Sequence, residues 1–268
     1  MLEFASRIEE LHPGIFIHSV YFYGRSLIQY GNVNEQLELV ASRIAAIPEL
    51  ESGFDAIGLS QGGQFLRAYV ERYNKPPVHN LITFGSQHMG ISDIPLCRPY
   101  DFLCQVARRA AKEAVHGKWA QANLVQAQYF RDPTNLEAYL SANHFLTSIN
   151  NEIPVSRNST YAKNLASLNN LVLVLFTEDK TAVPKESAWF GSEEVPTEFH
   201  NEEHQAIFGS TSRTIIHMRS QPLYQEDWIG LRQLDERGGV VLETCVGEHM
   251  QMGDCWKRLV RDYVGGSR

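Results

Sequence analysis

An alternation of strand and helix patterns near the start of the chain limits its fold more than any other feature. Three short apolar stretches predict strands, and two stretches with apolar residues at helical spacing predict the helices between them. In chain order, these stretches are 15–22, 34–47, 54–59, 64–73 and 80–84. The order β-α-β-α-β is typical of a parallel sheet whose strands are joined by helical crossovers.

The same rhythm returns in the second half of the chain. Residues 171–176 are almost continuously apolar, as in a strand that is buried on both faces. Residues 240–242 predict a last strand, and 255–263 a closing helix. The region from about 94 to 170 is rich in helical and aromatic patterns, so we interpret it as a helical insertion within one α/β domain over residues 1–268. Residues 192–220 are polar and predict a long surface loop.

The composition excludes several classes of protein. Lys and Arg number 24 and Asp and Glu 31, so the chain of 268 residues carries a formal net charge of −7. This balance disfavours binding to nucleic acid or to an anionic membrane, because both depend on clustered basic residues. No apolar run approaches the length of a membrane span, so we expect no stable membrane insertion.

A nucleophile motif lies between the second predicted strand and the helix after it. Gly58-Leu59-Ser60-Gln61-Gly62 has the pattern G-x-S-x-G, and a strand-to-helix turn is the context in which this pattern presents a serine for attack. The backbone N–H of Gln61 would then donate to the oxyanion. The plain alternative is a glycine-rich turn with an ordinary serine.

A serine nucleophile needs a base, and the base needs an acid that orients it. Glu178 and Asp179 directly follow the buried strand at 171–176, and both are candidates for the acid. His249 lies between the last predicted strand and the closing helix. The order serine, acid, histidine is the one found with a nucleophile on such a turn, although a single loop histidine is more often only solvated.

Longer blocks of sequence resemble the palmitoyl-protein thioesterases, which are α/β-hydrolases. The most specific block is 58–67, and the others are 85–90, 124–129, 132–133, 189–191 and 247–249. The resemblance implies an α/β-hydrolase fold with a mostly parallel sheet and a helical insertion. It also implies Ser60 as nucleophile, Asp179 as acid and His249 as base.

The same resemblance implies the activity. The family removes long-chain fatty acyl groups, such as palmitoyl, from cysteine thioesters, so the expected partners are S-acylated proteins or peptides and fatty acyl thioesters. No metal or organic cofactor is implied. We expect the apolar groove for the acyl chain in the aromatic insertion, although simple core packing is the plain alternative for each of its large side chains, which are Phe102, Trp119, Tyr129, Phe130, Tyr139 and Phe145.

The cysteines and a glycosylation sequon indicate the cellular compartment in which the protein resides. Cys97 and Cys104 form one close pair and Cys245 and Cys255 another, and Asn158-Ser159-Thr160 is a glycosylation sequon. Both features fit a secreted or lumenal protein, although free cysteines and chance sequons are also common in cytosolic chains. With the family's glycan at the position of Asn158, they predict two disulfides and a lysosomal, vacuolar or secreted location.

Two departures from the family lead to further expectations. The first eleven residues, MLEFASRIEEL, are not a signal peptide, and the first hundred residues contain no His-Gly, the turn that supplies the family's second oxyanion donor. We therefore expect an N-terminally truncated sequence. A catalytically impaired lipid-binding descendant is one alternative function, and a lipase or carboxylesterase acting on oxygen esters is another.

One further motif is weaker evidence for a metal site. His200-Asn201-Glu202-Glu203-His204 is a formal H-x-x-E-H, a pattern that can bind zinc on a helix. Its surroundings are polar and lack an apolar helical stripe. We therefore predict a solvated loop here rather than a metal site.

Overall fold

A computed structural model describes residues 2–20, 30–93, 110–194 and 214–265. Within these residues, a parallel sheet with the strand order β1-β2-β3-β6 forms the centre of the molecule, and β4 and β5 form a separate antiparallel pair. The strands are β1 (Phe54–Leu59), β2 (Val78–Phe84), β3 (Asn170–Phe176), β4 (Ser192–Glu193), β5 (Ile215–Ile216) and β6 (Val240–Cys245).

The register of the sheet brings its carboxyl ends to one edge. Leu59 pairs with Phe84, Phe84 with Val174, and Phe176 with Cys245. The residues that follow β1, β3 and β6 therefore leave the sheet on the same side. In open α/β sheets this edge is where ligands bind.

Ten α-helices lie entirely within the described part of the chain, and residues 110–114 are helical as well. They are α1 (Leu2–Leu11), α2 (Val33–Ala45), α3 (Gln61–Arg72), α4 (Lys118–Asn123), α5 (Leu136–Ala142), α6 (Leu146–Ile149), α7 (Ser159–Ala166), α8 (Pro222–Gln225), α9 (Leu231–Glu236) and α10 (Cys255–Tyr263). The start of α2 shows how sequence sets a boundary, because the side chain of Asn32 accepts a hydrogen bond from the backbone N–H of Asn34 at 2.9 Å.

Both faces of the sheet are covered by apolar side chains. On one face, Leu81 and Leu173 pack with α2, α3 and the helices between β2 and β3. On the other, Ile82 and Val174 pack with α1 and with Trp256 of α10. Burial on both faces explains why β3 is almost continuously apolar.

Most predicted elements are present, with boundaries that differ by a few residues, but two predictions fail. Residues 15–20 form no strand, because a strand needs a hydrogen-bonded neighbour; residues 21–22 lie outside the described part. The predicted loop at 192–220 begins with β4, which pairs with β5, and ends in a 3₁₀ turn at Met218–Ser220, while its residues 195–213 lie outside the described part. Local polarity did not reveal this long-range pairing.

The region between β2 and β3 is helical where it is described. Residues 110–169 contain a helical segment at 110–114, helices α4 to α7 and several 3₁₀ turns. The exact insertion bounds, and the extent of one domain over residues 1–268, stay predictions.

Candidate active site

Ser60 stands at a strained turn between β1 and α3. Its backbone angles are φ 51° and ψ −124°, a conformation that residues other than glycine rarely adopt. The turn is held by the backbone N–H of Ser60, which donates to the carbonyl of Phe84 at 2.7 Å. The helix that begins at Gln61 follows this turn directly, which is the strand-to-helix context that the sequence pattern predicts.

The loops after β3 and β6 bring an acid and a histidine to the same edge. The backbone N–H of Glu178 donates to the carbonyl of Gly247 at 2.9 Å, so the two loops are tied directly to each other. A disulfide between Cys245 and Cys255 closes the second loop at its base. Cys97 and Cys104 lie outside the described residues, so their pairing stays a prediction.

A continuous chain of hydrogen bonds joins three of the predicted side chains. His249 Nε2 lies 2.9 Å from Ser60 Oγ, and His249 Nδ1 lies 2.6 Å from Asp179 Oδ2. The Asp179 side chain is almost fully buried, whereas Glu178 is exposed. Of the two acidic residues after β3, Asp179 is the one that contacts His249.

Backbone donors hold Asp179 in place. The N–H groups of Thr181 and Ala182 donate to its Oδ1 at 2.8 and 3.0 Å. Burial acts to raise the pKa of Asp179, but the hydrogen bonds from His249 and Ala182 outweigh burial and hold the pKa below its ordinary value. The carboxylate is thus charged at neutral pH, as is required to stabilise an imidazolium.

The imidazole of His249 is confined by its neighbours. The ring of Phe176 packs edge-on against it, with ring centroids 6.0 Å apart. A Cβ added at Gly85, where φ is +58°, would lie 2.8 Å from Phe176 and 3.3 Å from His249 Cε1. The absence of a side chain at Gly85 therefore leaves room for the rings of Phe176 and His249.

The remaining predicted site residues lie as follows. Gln61 is the first residue of α3, and N–H groups in the first turn of a helix lack intrahelical acceptors. Asn158 is exposed and caps α7, where its side chain accepts from the N–H of Thr160 at 2.9 Å.

A cavity of about 700 Å³ opens beside Ser60. This volume is within the range of roughly 300–1,000 Å³ found for ligand pockets. Apolar side chains form much of its lining, among them Leu59, Phe65, Leu66 and Met250.

The aromatic residues that were expected to form the acyl groove lie away from this cavity where the structure describes them, and the position of the groove itself stays a prediction. Tyr129, Phe130, Tyr139 and Phe145 pack into the hydrophobic core, and Trp119 is exposed. None of these five lines the cavity beside Ser60. Phe102 lies outside the described residues. An aromatic pattern alone could not distinguish a groove from a core.

The described residues show neither a cluster of metal ligands nor a membrane-spanning helix. In the ranges that the structure describes, no group of three or more His, Cys, Asp or Glu side chains could hold a metal ion. The H-x-x-E-H at 200–204 falls outside those ranges. Over the same ranges, the helices are too short or too polar to cross a membrane.

A buried polar network behind α3 was missed by the sequence analysis. Arg67 is fully buried, and its guanidinium donates to the carbonyl of His88 at 3.2 Å and to Asn150 Oδ1 at 2.8 Å. Glu71, one turn further along α3, is also fully buried and lies 3.4 Å from Arg67. The only available signal was the i, i+4 spacing of two opposite charges, which usually marks an exposed helix face.

Comparisons with known proteins agree with one another. A family model described as palmitoyl protein thioesterase matches residues 1–249. Palmitoyl-protein thioesterase 1 of Caenorhabditis elegans is 38% identical over 250 residues, which cover 91% of this chain and 78% of that protein. Palmitoyl-protein thioesterase 3 of Dictyostelium discoideum is 34% identical over 247 residues, again 91% of this chain and 78% of that protein. Lysosomal thioesterase PPT2-B of Xenopus laevis is 28% identical over 249 residues, covering 90% of this chain and 77% of that protein.

Proposed function

Because the chain belongs to the palmitoyl protein thioesterase family, we propose that it removes long-chain fatty acyl groups from the cysteines of S-acylated proteins or peptides. The membership confirms two predictions, the α/β-hydrolase fold and hydrolysis of thioesters. The length of the acyl chain, the identity of the substrate and the roles of individual residues go beyond family membership and are part of the proposal.

The observation that carries the proposed mechanism is the hydrogen-bond chain from Ser60 through His249 to Asp179. Ser60 Oγ attacks the thioester carbonyl while His249 Nε2 takes the hydroxyl proton. Asp179 holds the proton on Nδ1 and stabilises the imidazolium. The carbon–sulfur bond then breaks, the cysteine sulfur leaves as a thiol with the proton from His249, and an acyl-Ser60 ester remains.

Water completes the cycle at the same groups. His249 takes a proton from water, and the hydroxide attacks the acyl-Ser60 carbonyl. The carbon–oxygen bond to Ser60 breaks, the serine regains its proton from His249, and the fatty acid is released. In both halves of the reaction, the N–H of Gln61 donates to the tetrahedral oxyanion.

Turnover of a palmitoylated peptide tests this mechanism. We expect Ser60→Ala to lower kcat by about ten-thousandfold or more, because the nucleophile is lost. Ser42→Ala is the matched control, since Ser42 is an exposed serine of α2. Activity that survives Ser60→Ala would contradict the mechanism.

The same assay separates the alternative functions. Faster turnover of the matched oxygen ester than of the thioester would identify a lipase or carboxylesterase. Binding of the acyl chain without turnover, unchanged in Ser60→Ala, would identify a lipid-binding descendant.

We also propose a lysosomal location with a glycan on Asn158. The proposal is supported by the Xenopus relative, which is named a lysosomal thioesterase, by the disulfide and by the exposure of Asn158. Protein from a eukaryotic host should lose mass on treatment with a glycosidase, and Asn158→Gln should abolish that loss. An unchanged mass in the parent protein would contradict the glycan.

A further inference from the structure

Met250 follows the proposed catalytic histidine in an unusual backbone conformation. Residues 248–251 form a tight turn, in which the N–H of Gln251 donates to the carbonyl of Glu248 at 2.9 Å. Met250 occupies the third position of this turn with φ +68°. Turns with positive φ at this position favour glycine or asparagine, so a long apolar side chain here is not explained by the turn itself.

The surroundings of Met250 show where this side chain lies. It lines the cavity that reaches Ser60, and it is 41% exposed although it is apolar. Leu59, Phe65 and Leu66 line the same cavity. Methionine is unbranched and flexible, so it can fit against apolar chains of varied shape.

A neighbour on the same loop provides a comparison. Val246 is 81% exposed but does not line the described part of the cavity. An exposed apolar side chain on this loop therefore does not line the cavity simply because it is exposed. What distinguishes Met250 is that it adjoins both His249 and the cavity.

We propose that Met250 is a specificity-determining residue, whose long side chain contacts the acyl chain beyond its first four carbons and favours long apolar acyl groups over short ones. The inference rests on the proposed function. The contact covers apolar carbons of the chain that would otherwise face water at the mouth of the cavity. A short acyl group would reach this contact only in part.

The test compares butyryl and palmitoyl thioesters of one peptide. We expect Met250→Gln to lower kcat/KM for the palmitoyl substrate about tenfold, and to change the butyryl value by less than about twofold. Met250→Leu should retain the preference, since it keeps an apolar side chain. Val246→Ser is the control and should leave both values unchanged.

A glycine variant separates specificity from backbone geometry. Met250→Gly suits the positive φ but removes the side chain, so it should lose the palmitoyl preference as Met250→Gln does. An equal loss for both substrates, or an unchanged preference in both variants, would overturn the inference.

The inference and the proposed function can fail separately. Activity that is lost in Ser60→Ala but insensitive to Met250 variants overturns only the inference. If no turnover occurs, binding of a palmitoyl thioether peptide still tests the contact. Its affinity should fall about tenfold in Met250→Gln, and an unchanged affinity would contradict it.

Discussion

At the scale of single residues, the glycines around Ser60 meet different steric demands. A Cβ added at Gly58 would lie 2.4 Å from the Cα of Gly63, so β1 and α3 approach each other through these two residues. A Cβ added at Gly62 meets nothing within 4 Å. The second glycine of G-x-S-x-G is thus open, and the close approach falls on the residue after it.

This difference predicts opposite effects on stability. Gly58→Ala should lower the free energy of unfolding by about 2 kcal/mol or more, because backbone atoms must move apart. Gly62→Ala should raise it by about 0.5 kcal/mol, because alanine is favoured in helices. Urea unfolding followed by circular dichroism measures both. Equal midpoints for the two variants would contradict the packing described here.

At the scale of elements, the disulfide fixes the loop that carries His249. Cys245 is the last residue of β6 and Cys255 the first of α10, with a sequence separation of 10. The loop between them therefore has both ends anchored to regular structure. Together with the hydrogen bond between Glu178 and Gly247, this keeps the histidine close to Asp179.

Loss of this bridge should affect both stability and activity. The double variant Cys245→Ala/Cys255→Ala should unfold with a free energy lower by about 3 kcal/mol, since closing a loop of this length restricts the unfolded chain. We also expect a lower kcat, because His249 gains freedom to move. Thermal unfolding and turnover of a thioester peptide measure the two effects. Alkylation of Cys245 or Cys255 in the unreduced parent protein would show that the bridge is absent.

At the scale of the whole molecule, the network around Arg67 joins parts that are distant in sequence. Its guanidinium connects α3 to the segment after β2 through His88, and to the end of α6 through Asn150. It also lies over the ring of Phe190, 5.1 Å from the centroid. Burial of a guanidinium costs free energy unless hydrogen bonds and ion pairs compensate it. Displacement of α6 or of the segment after β2 would therefore leave the Arg67 guanidinium buried without these partners.

Glu71 gives this network a dependence on pH. Burial raises the pKa of Glu71 from 4.5 to about 7, although Arg67 and Arg72 act to lower it. Between these two values the folded protein binds a proton that the unfolded chain does not. The resulting stability is complete below about pH 4.5 and is lost as the pH rises through about 7.

The free energy of unfolding should therefore increase by about 2 kcal/mol between pH 7 and pH 5 on account of this group. Glu71→Gln resembles the protonated carboxyl and should remove that part of the slope. Urea unfolding of both proteins at several pH values measures it. The conservative control is Glu236→Gln, on the exposed end of α9. Identical slopes for the parent and Glu71→Gln would contradict the assignment.

The sequence by itself determined the alternation of helix and strand from α2 to β2 and the order of Ser60, the acids and His249 along the chain. Both are local properties, since side-chain periodicity reports which faces of an element are buried, and the carboxyl ends of parallel strands share one edge. It also predicted the boundaries of α10 correctly, because Cys255–Tyr263 has a strong apolar stripe.

Only the tertiary structure decided which of the candidate side chains contact His249 or line the cavity. Asp179 rather than Glu178 reaches His249, because the N–H groups of Thr181 and Ala182 fix its carboxylate. Tyr129, Phe130, Tyr139 and Phe145 of the insertion pack into the core, so the cavity beside Ser60 is lined by other side chains. Residues 15–20 match a strand pattern but form none, because strand formation depends on a partner that no local pattern encodes.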